Sequence, residues 1–209
     1  MQLGFIGLGK MVHNMVERLI EKKYEVFAYD INDDPLKNTN SITELCEKLE
    51  SPRVIWLMVP HQAVDGVIGE LMPHMSQGDT IIDGGNSPYK DSMRRARELN
   101  SSGIKFMDVG VSGGPAGARA GACLMIGGER EDYDKLELLF KDLAAKNAYG
   151  YMGKHGAGHF VKMVHNGIEY GMMQAIAEGF AVMKNSEFNF DLKNIADLYN
   201  HGSVIESRL

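Results

Sequence analysis

The chain has few cysteines, no long apolar run and no excess of basic charge. Its two cysteines among 209 residues exclude a disulfide framework and a local thiolate metal cluster. No run approaches the roughly 18 apolar residues of a membrane span, and the first residues lack the features of a signal peptide. The 22 basic and 28 acidic residues argue against a nucleic-acid-binding surface. We therefore expect a cytoplasmic protein that binds neither a membrane nor a nucleic acid.

Strand and helix patterns alternate along the first two thirds of the chain, with 24 glycines among 209 residues. We expect strands at 3–6, 25–29, 54–59, 80–83, 104–108, 124–127 and 148–151, and helices at 10–22, 41–49, 62–74, 87–100 and 132–146. This alternation predicts an α/β fold, a Rossmann-type, doubly wound and mostly parallel sheet with helices on both faces. Ligands of such sheets bind beyond the carboxyl ends of the strands.

The pattern changes after residue 157, where strands stop and one long helix is predicted at 160–184. We expect a dinucleotide-binding domain at 1–157 and the start of a helical substrate and dimerisation domain at 158–209. The long helix is apolar on several faces and needs cover from more than one side. Residues 191–209 offer little cover, which indicates a truncated chain or a partner subunit.

A glycine-rich loop follows the first strand and opens the first helix. Gly7 permits a tight turn, and Gly9 lets the backbone approach a pyrophosphate at the helix N-terminus. The third position of the motif is Val12, where glycine or alanine is usual. An ordinary strand–helix turn is the alternative interpretation. The predicted cofactor-binding residues of this loop are Gly7, Leu8, Gly9, Lys10 and Met11.

Asp30 ends the second predicted strand, 21 residues after Gly9. A carboxylate there accepts hydrogen bonds from an adenosine ribose and repels a 2′-phosphate, which favours NAD over NADP. The alternative is a plain turn residue before Pro35. At the end of the third strand, we assign Met58, Val59 and Pro60 to the same cofactor site.

Two further glycine loops follow predicted strands and belong to the same edge of the sheet. Asn86, in Asp83-Gly84-Gly85-Asn86-Ser87, is a candidate for binding ribose, nicotinamide or substrate. Ser112, Gly113 and Gly114 are candidates for holding a carboxylate or hydroxyl group. The alternative is that these glycines only build turns.

The long helix carries a polar stripe on an otherwise apolar segment. Its members stand at positions i, i+3, i+4, i+7 and i+8 and project from one helical face: Lys162, His165, Asn166, Glu169 and Tyr170. A solvated face with a Lys–Glu pair is the alternative interpretation.

In this order the motifs resemble the 6-phosphogluconate dehydrogenase family, within the β-hydroxyacid dehydrogenase group. The matching segments are Gly7-x-Gly9-x-Met11, Asp83-Gly84-Gly85-Asn86-Ser87, Gly110-Val111-Ser112-Gly113-Gly114 and the run from Gly156 to Tyr170. The resemblance implies oxidative decarboxylation of 6-phosphogluconate to ribulose 5-phosphate by a homodimer or homotetramer. It implies NAD or, less favoured here, NADP as cofactor, and no metal.

The resemblance also implies a role for each polar residue. Lys162 is the general base for the substrate C3 hydroxyl, and Glu169 is the acid that protonates the enediol. Substrate is oriented by His165, Asn166 and the Ser112-Gly113-Gly114 loop, and Tyr170 binds its phosphate.

Two positions depart from the family pattern, and two other functions remain open. Val12 replaces the usual glycine, and Glu206 stands where shorter bacterial relatives usually have arginine. One alternative is a dehydrogenase or reductase of another small 3-hydroxy acid, of the 3-hydroxyisobutyrate type. The other is a cofactor-binding protein or fragment without turnover.

Overall fold

One mostly parallel sheet organises the first three quarters of the chain in the computed structural model, which describes residues 1–205. Its strands are β1 (Gln2–Ile6), β2 (Glu25–Tyr29), β3 (Val54–Leu57), β4 (Thr80–Asp83), β5 (Lys105–Ser112), β6 (Ala122–Gly127) and β7 (Ala144–Gly153). They lie in the order β2-β1-β3-β4-β5-β6-β7. Only the β5–β6 pairing in this sheet is antiparallel, with Ser112 opposite Cys123. The predicted fold class is confirmed.

Helices connect most of these strands and continue beyond the last one. They are α1 (Lys10–Glu21), α2 (Ile42–Lys48), α3 (Val64–Leu71), α4 (Tyr89–Ser101), α5 (Gly114–Ala120), α6 (Arg130–Leu143), α7 (Ala157–Lys184) and α8 (Leu192–Tyr199). The α2 helix begins one residue after its predicted start at 41, because Ser41 is its N-cap and Ser41 Oγ accepts a hydrogen bond from Glu44 N at 3.0 Å. Among residues 1–205, no helix is both long enough and apolar enough to span a membrane.

Several predicted bounds were wrong, and at β5 and β7 the reason is strand pairing that overrides the local pattern. β5 continues to Ser112, because it pairs with β6 along its second half. The α5 helix was not predicted. Residues 144–146 are strand rather than helix, since β7 starts at Ala144 beside Ala122. The helix expected at 87–100 begins at Tyr89, with Pro88 as its N-cap.

Two apolar clusters form the core. In one, Trp56 on β3 stacks on Phe5 of β1, with ring centroids 5.8 Å apart, and Phe140 of α6 meets it edge-on. The other joins α2, α3 and α4 to the strands, for example through Leu45, Leu71 and Leu99. Burial on both faces explains why the central strands read as continuous apolar runs.

The chain divides into two compact units, one of residues 1–162 and one that starts at Met163. The domain boundary expected at 157/158 stays a prediction. In the second unit, the apolar side chains of Met163, Ile168 and Val182 on α7 are exposed. Glu206, the second departure from the family pattern, lies outside the described residues.

Candidate active site

A cleft of about 370 Å³ opens at the carboxyl ends of β1, β2 and β3. These strands meet where the sheet order reverses, since β1 lies between β2 and β3. That is where open α/β sheets bind nucleotides. Six predicted cofactor residues line the cleft: Gly7, Gly9, Asp30, Met58, Val59 and Pro60.

The glycine loop has the geometry that its motif requires. Gly7 has a φ of 96°, and a Cβ there would fall 2.6 Å from the carbonyl oxygen of Met58. A Cβ on Gly9 would meet nothing within 4 Å, so open space lies in front of the backbone that leads into α1. These residues therefore fit a pyrophosphate held against the loop.

Three other predicted cofactor residues of the loop lie beside the cleft rather than in it: Leu8, Lys10 and Met11. Leu8 and Lys10 border a neighbouring pocket with His13. Met11 packs against the core and Val12 is buried within it. The roles of Leu8, Lys10 and Met11 in cofactor binding stay predictions.

Asp30 joins β2 to the glycine loop. Its Oδ2 accepts a hydrogen bond from Leu8 N at 2.6 Å, and its Oδ1 accepts one from Asn32 N at 2.7 Å. Burial raises the pKa of Asp30, but these hydrogen bonds, with the charge of Lys37, outweigh it and hold the pKa below its usual value. Asp30 is therefore a carboxylate at neutral pH.

Sequence reasoning missed one wall of the cleft and a cation, Lys37, whose charge acts on Asp30. Ala63, Val67 and Glu70 also line the cleft. Their spacing of i, i+4 and i+7 was a usable signal for one helical face. Lys37 lies over the ring of Tyr29, 5.5 Å from its centroid. Lys37 is seven residues beyond Asp30, too far along the chain for its proximity to be inferred.

The loop that carries Asn86 is organised by a buried aspartate. Asp83, at the end of β4, accepts hydrogen bonds from Gly85 N at 3.1 Å and from Ser87 Oγ at 2.7 Å. Asn86 itself is exposed at the turn. The Asn86 side chain is thus exposed on a loop whose conformation is stabilised by hydrogen bonds to Asp83.

Lys162 lies beside the strand that leads into the serine–diglycine loop. A Cβ built on Gly110 of β5 would collide with the Cβ of Lys162. Ser112 ends this strand two residues later, and α5 begins at Gly114. The Nδ2 of Asn14 on α1 donates to Pro115 O at 2.8 Å and so ties this loop to the glycine-loop helix. The structure therefore places the predicted base close in space to the β5 end of that loop.

The other residues of the polar stripe belong to the second unit. His165 Nδ1 lies 3.2 Å from Asn166 Oδ1 and 3.8 Å from Glu169 Oε2. His165, Asn166 and Glu169 are half-buried, whereas Tyr170 is 70% exposed. Their substrate and catalytic roles stay predictions. Within residues 1–205, no three histidine, cysteine, aspartate or glutamate side chains form a cluster suited to a metal ion.

Comparison with known families matches nearly the whole chain in two parts. Residues 2–153 match the family described as the NAD binding domain of 6-phosphogluconate dehydrogenase. Residues 158–207 match the C-terminal domain of 6-phosphogluconate dehydrogenase. An NAD(P)-binding domain is therefore present in this chain.

Individual proteins similar to this chain belong to the same family. YqeC of Bacillus subtilis is 48% identical over all of this chain and 73% of its own length. A Haloferax volcanii protein, named as an NAD(+)-dependent, decarboxylating 6-phosphogluconate dehydrogenase, is 41% identical over all of this chain and 72% of its own. The solved 6-phosphogluconate dehydrogenase of Plasmodium falciparum is 32% identical with a TM-score of 0.87, and covers 100% of this chain and 50% of that one.

Proposed function

Because this chain belongs to the 6-phosphogluconate dehydrogenase family, we propose that it oxidises and decarboxylates 6-phosphogluconate to ribulose 5-phosphate and CO₂, with NAD as the preferred cofactor. The observation that carries the proposal is the place of Lys162. Its Cβ lies against Gly110, on the strand that ends at Ser112, in the same unit as the nucleotide cleft. A base beside a serine–diglycine loop suits a hydroxy acid substrate.

Gly7, Gly9 and Asp30 of the cleft would hold the bound NAD, which would supply the acceptor for the hydride that leaves C3 of the substrate. Lys162 Nζ takes the proton of the C3 hydroxyl, which requires a neutral amine although lysine is ordinarily protonated at neutral pH. The protonated Lys162 then donates to the new C3 carbonyl oxygen. This oxygen receives the electron pair released as the C1–C2 bond breaks and CO₂ leaves.

Glu169 completes the reaction by proton transfer to carbon. The enediol left after loss of CO₂ is protonated by the Glu169 carboxyl at the carbon that carried CO₂ while Lys162 takes back the proton of the C3 oxygen, which yields ribulose 5-phosphate. His165 and Asn166 hold the carboxylate and hydroxyl groups of the substrate with Ser112, Gly113 and Gly114. Tyr170 binds the phosphate, and Asn86 orients the nicotinamide ribose or the substrate. Positioned acid–base groups of this kind typically supply about 10²–10⁴-fold in rate.

The charge of Asp30 supports the preference for NAD. Both oxygens of this carboxylate accept hydrogen bonds from backbone N–H groups, of Leu8 and of Asn32, and its lowered pKa keeps it ionised. An anion in the cleft attracts ribose hydroxyls and repels a 2′-phosphate. Lys37, whose charge helps to keep Asp30 ionised, lies over the ring of Tyr29.

The test is to follow reduced nicotinamide and CO₂ together, with 6-phosphogluconate as substrate and with NAD and NADP in parallel. We expect equal amounts of both products, and a kcat/KM at least about tenfold higher with NAD, which is about 1.4 kcal/mol of discrimination. A preference for NADP would refute the role of Asp30. Reduction without CO₂, together with turnover of 3-hydroxyisobutyrate, would indicate a different hydroxy acid dehydrogenase. Cofactor binding without any turnover would indicate a non-catalytic protein.

A further inference from the structure

Arg95 on α4 is a buried cation that the proposed chemistry does not use. Its side chain is only 2% exposed. The Nε donates to Asp65 Oδ1 at 2.7 Å, and Nη1 donates to Asp83 Oδ2 at 3.2 Å. The hydrogen bond from Arg95 is the main reason why the pKa of Asp65 lies below its usual value. Burying a guanidinium costs free energy unless its partners are well placed, so the position of Arg95 depends on Asp65 and Asp83.

The inner partner, Asp83, shapes the loop that carries Asn86. Its two oxygens accept from Gly85 N, Ser87 Oγ and Arg95 Nη1. The Asp83 side chain is fully buried, and Arg95 supplies the positive charge that lies against it. Without that charge, the carboxylate would lose its ion pair in a buried setting, and the turn it organises would shift.

The same guanidinium also reaches the neighbouring loop. Arg95 Nη2 lies 3.4 Å from the carbonyl oxygen of His61, which follows the Met58-Val59-Pro60 segment of the nucleotide cleft. The two loops approach each other closely, since a Cβ on Gly85 would fall 3.1 Å from Val59 O. One side chain thus lies beneath two loops at the carboxyl ends of β3 and β4.

We propose that Arg95 is a positioning residue, which holds the Asn86 loop and the Pro60 loop in register for the bound nicotinamide nucleotide. It acts through Asp83 and does not touch the ligand. The inference rests on the proposed function in that Asn86 is taken to contact the nucleotide.

The first test is Arg95→Lys in the full chain, with NADH as the probe. Lysine keeps a positive charge for Asp83, but a single ammonium does not span Asp83, Asp65 and the His61 carbonyl. We expect the dissociation constant for NADH to rise about tenfold, the loss expected for one misplaced hydrogen bond. The matched control is Arg94→Lys, on the same helix. Arg94 also pairs with Asp65, at 2.8 Å, but is half-buried, and we expect its replacement to leave NADH affinity unchanged.

A double-mutant cycle with Asn86→Ala separates positioning from general destabilisation. If Arg95 acts in part through Asn86, the double variant loses less NADH affinity than the product of the two single losses. A merely structural role predicts that the two losses multiply. Multiplied losses, or an affinity of Arg95→Lys equal to that of Arg94→Lys, would overturn the proposal. If Arg95→Lys folds poorly, Asp65→Asn replaces it in the cycle, because Asp65 is 54% exposed and anchors Arg95 from outside.

The binding readout keeps this inference distinct from the proposed reaction. Coupled losses in NADH affinity support Arg95 even if the parent chain does not turn over 6-phosphogluconate, in which case the proposed function fails alone. If the parent chain turns over 6-phosphogluconate but the two losses in the cycle multiply, the proposed function is supported and the role of Arg95 is refuted.

Discussion

Lys162 combines a chemical role with an unusually tight steric setting. Its backbone lies in the second turn of α7, and its Cβ faces a glycine on β5 that leaves just enough room for it. The stem is therefore fixed while the amine remains at the end of four methylene groups. Such a setting orients the side chain from a position outside the nucleotide cleft, so removing the amine should affect chemistry more than cofactor binding.

We accordingly expect Lys162→Ala to lower kcat with 6-phosphogluconate by about 10²–10⁴-fold while the dissociation constant for NADH stays unchanged. The rate falls because no group takes the C3 hydroxyl proton, whereas the nucleotide cleft is lined by other residues. Steady-state kinetics and NADH titration measure the two quantities. Lys184→Ala, at the end of the same helix, is the control. Turnover close to that of the parent would exclude Lys162 as the base.

At the scale of elements, β5 and the start of α7 are held together by a buried carboxylate and close backbone contact. Asp108 of β5 accepts hydrogen bonds from Gly156 N at 2.6 Å and His159 N at 2.9 Å, at the N-terminal end of α7. A carboxylate is favourable there, because the first turn of a helix has unpaired N–H groups and a positive dipole end. His159 is buried in turn against Ser92 of α4, with Nδ1 2.7 Å from Ser92 Oγ.

Gly110→Ala tests how closely these elements approach. The added methyl group would collide with the Lys162 side chain and lie 3.1 Å from Gly158 O, so α7 must shift. We expect a loss of about 1–3 kcal/mol in the free energy of unfolding, together with reduced turnover. Urea unfolding and steady-state kinetics provide the measurements. Gly66→Ala on α3, where a Cβ meets nothing within 4 Å, should instead raise stability by about 0.5–1 kcal/mol. Equal free energies of unfolding for the two variants would show that the packing of Gly110 against Lys162 does not contribute to stability.

For the whole molecule, buried carboxylates make stability depend on pH. Asp79 is fully buried and accepts hydrogen bonds from Arg53 N at 2.6 Å, Arg53 Nη1 at 3.0 Å, Ser76 N at 2.9 Å and Ser51 Oγ at 2.9 Å. Burial raises the pKa of Asp79, but the hydrogen bonds from these donors lower it by more than burial raises it, so the net pKa is below its usual value. The folded state therefore binds this proton less readily than the unfolded state does.

Because the pKa of Asp79 is lower in the folded state than in the unfolded state, the protein should be less stable in acid. The contribution of Asp79 is present in full above the unfolded pKa of about 3.9 and is lost as the pH falls through the lower folded pKa. We expect the free energy of unfolding, from urea titrations between about pH 6 and pH 3, to fall with decreasing pH. Asp79→Asn should be less stable at neutral pH and should fall less steeply. A slope identical to that of the parent would contradict the assignment of this carboxylate.

Local sequence patterns are enough to predict the fold class, the order of most elements and the edge of the sheet that carries the cleft. These follow from local patterns: apolar runs of strand length, helical periodicity, and glycines with Asp30 directly after strands. The tertiary structure alone decided the reversal of β6 against β5, the α5 helix and the start of β7 at Ala144, because strand pairing and packing override local preference. It also decided the partners of Arg95, since a buried cation needs anions that are near in space, and Asp65 lies 30 residues away along the chain. Sequence spacing reports neighbours along one helix or strand, whereas the cost of burying a charge is set by contacts between different elements.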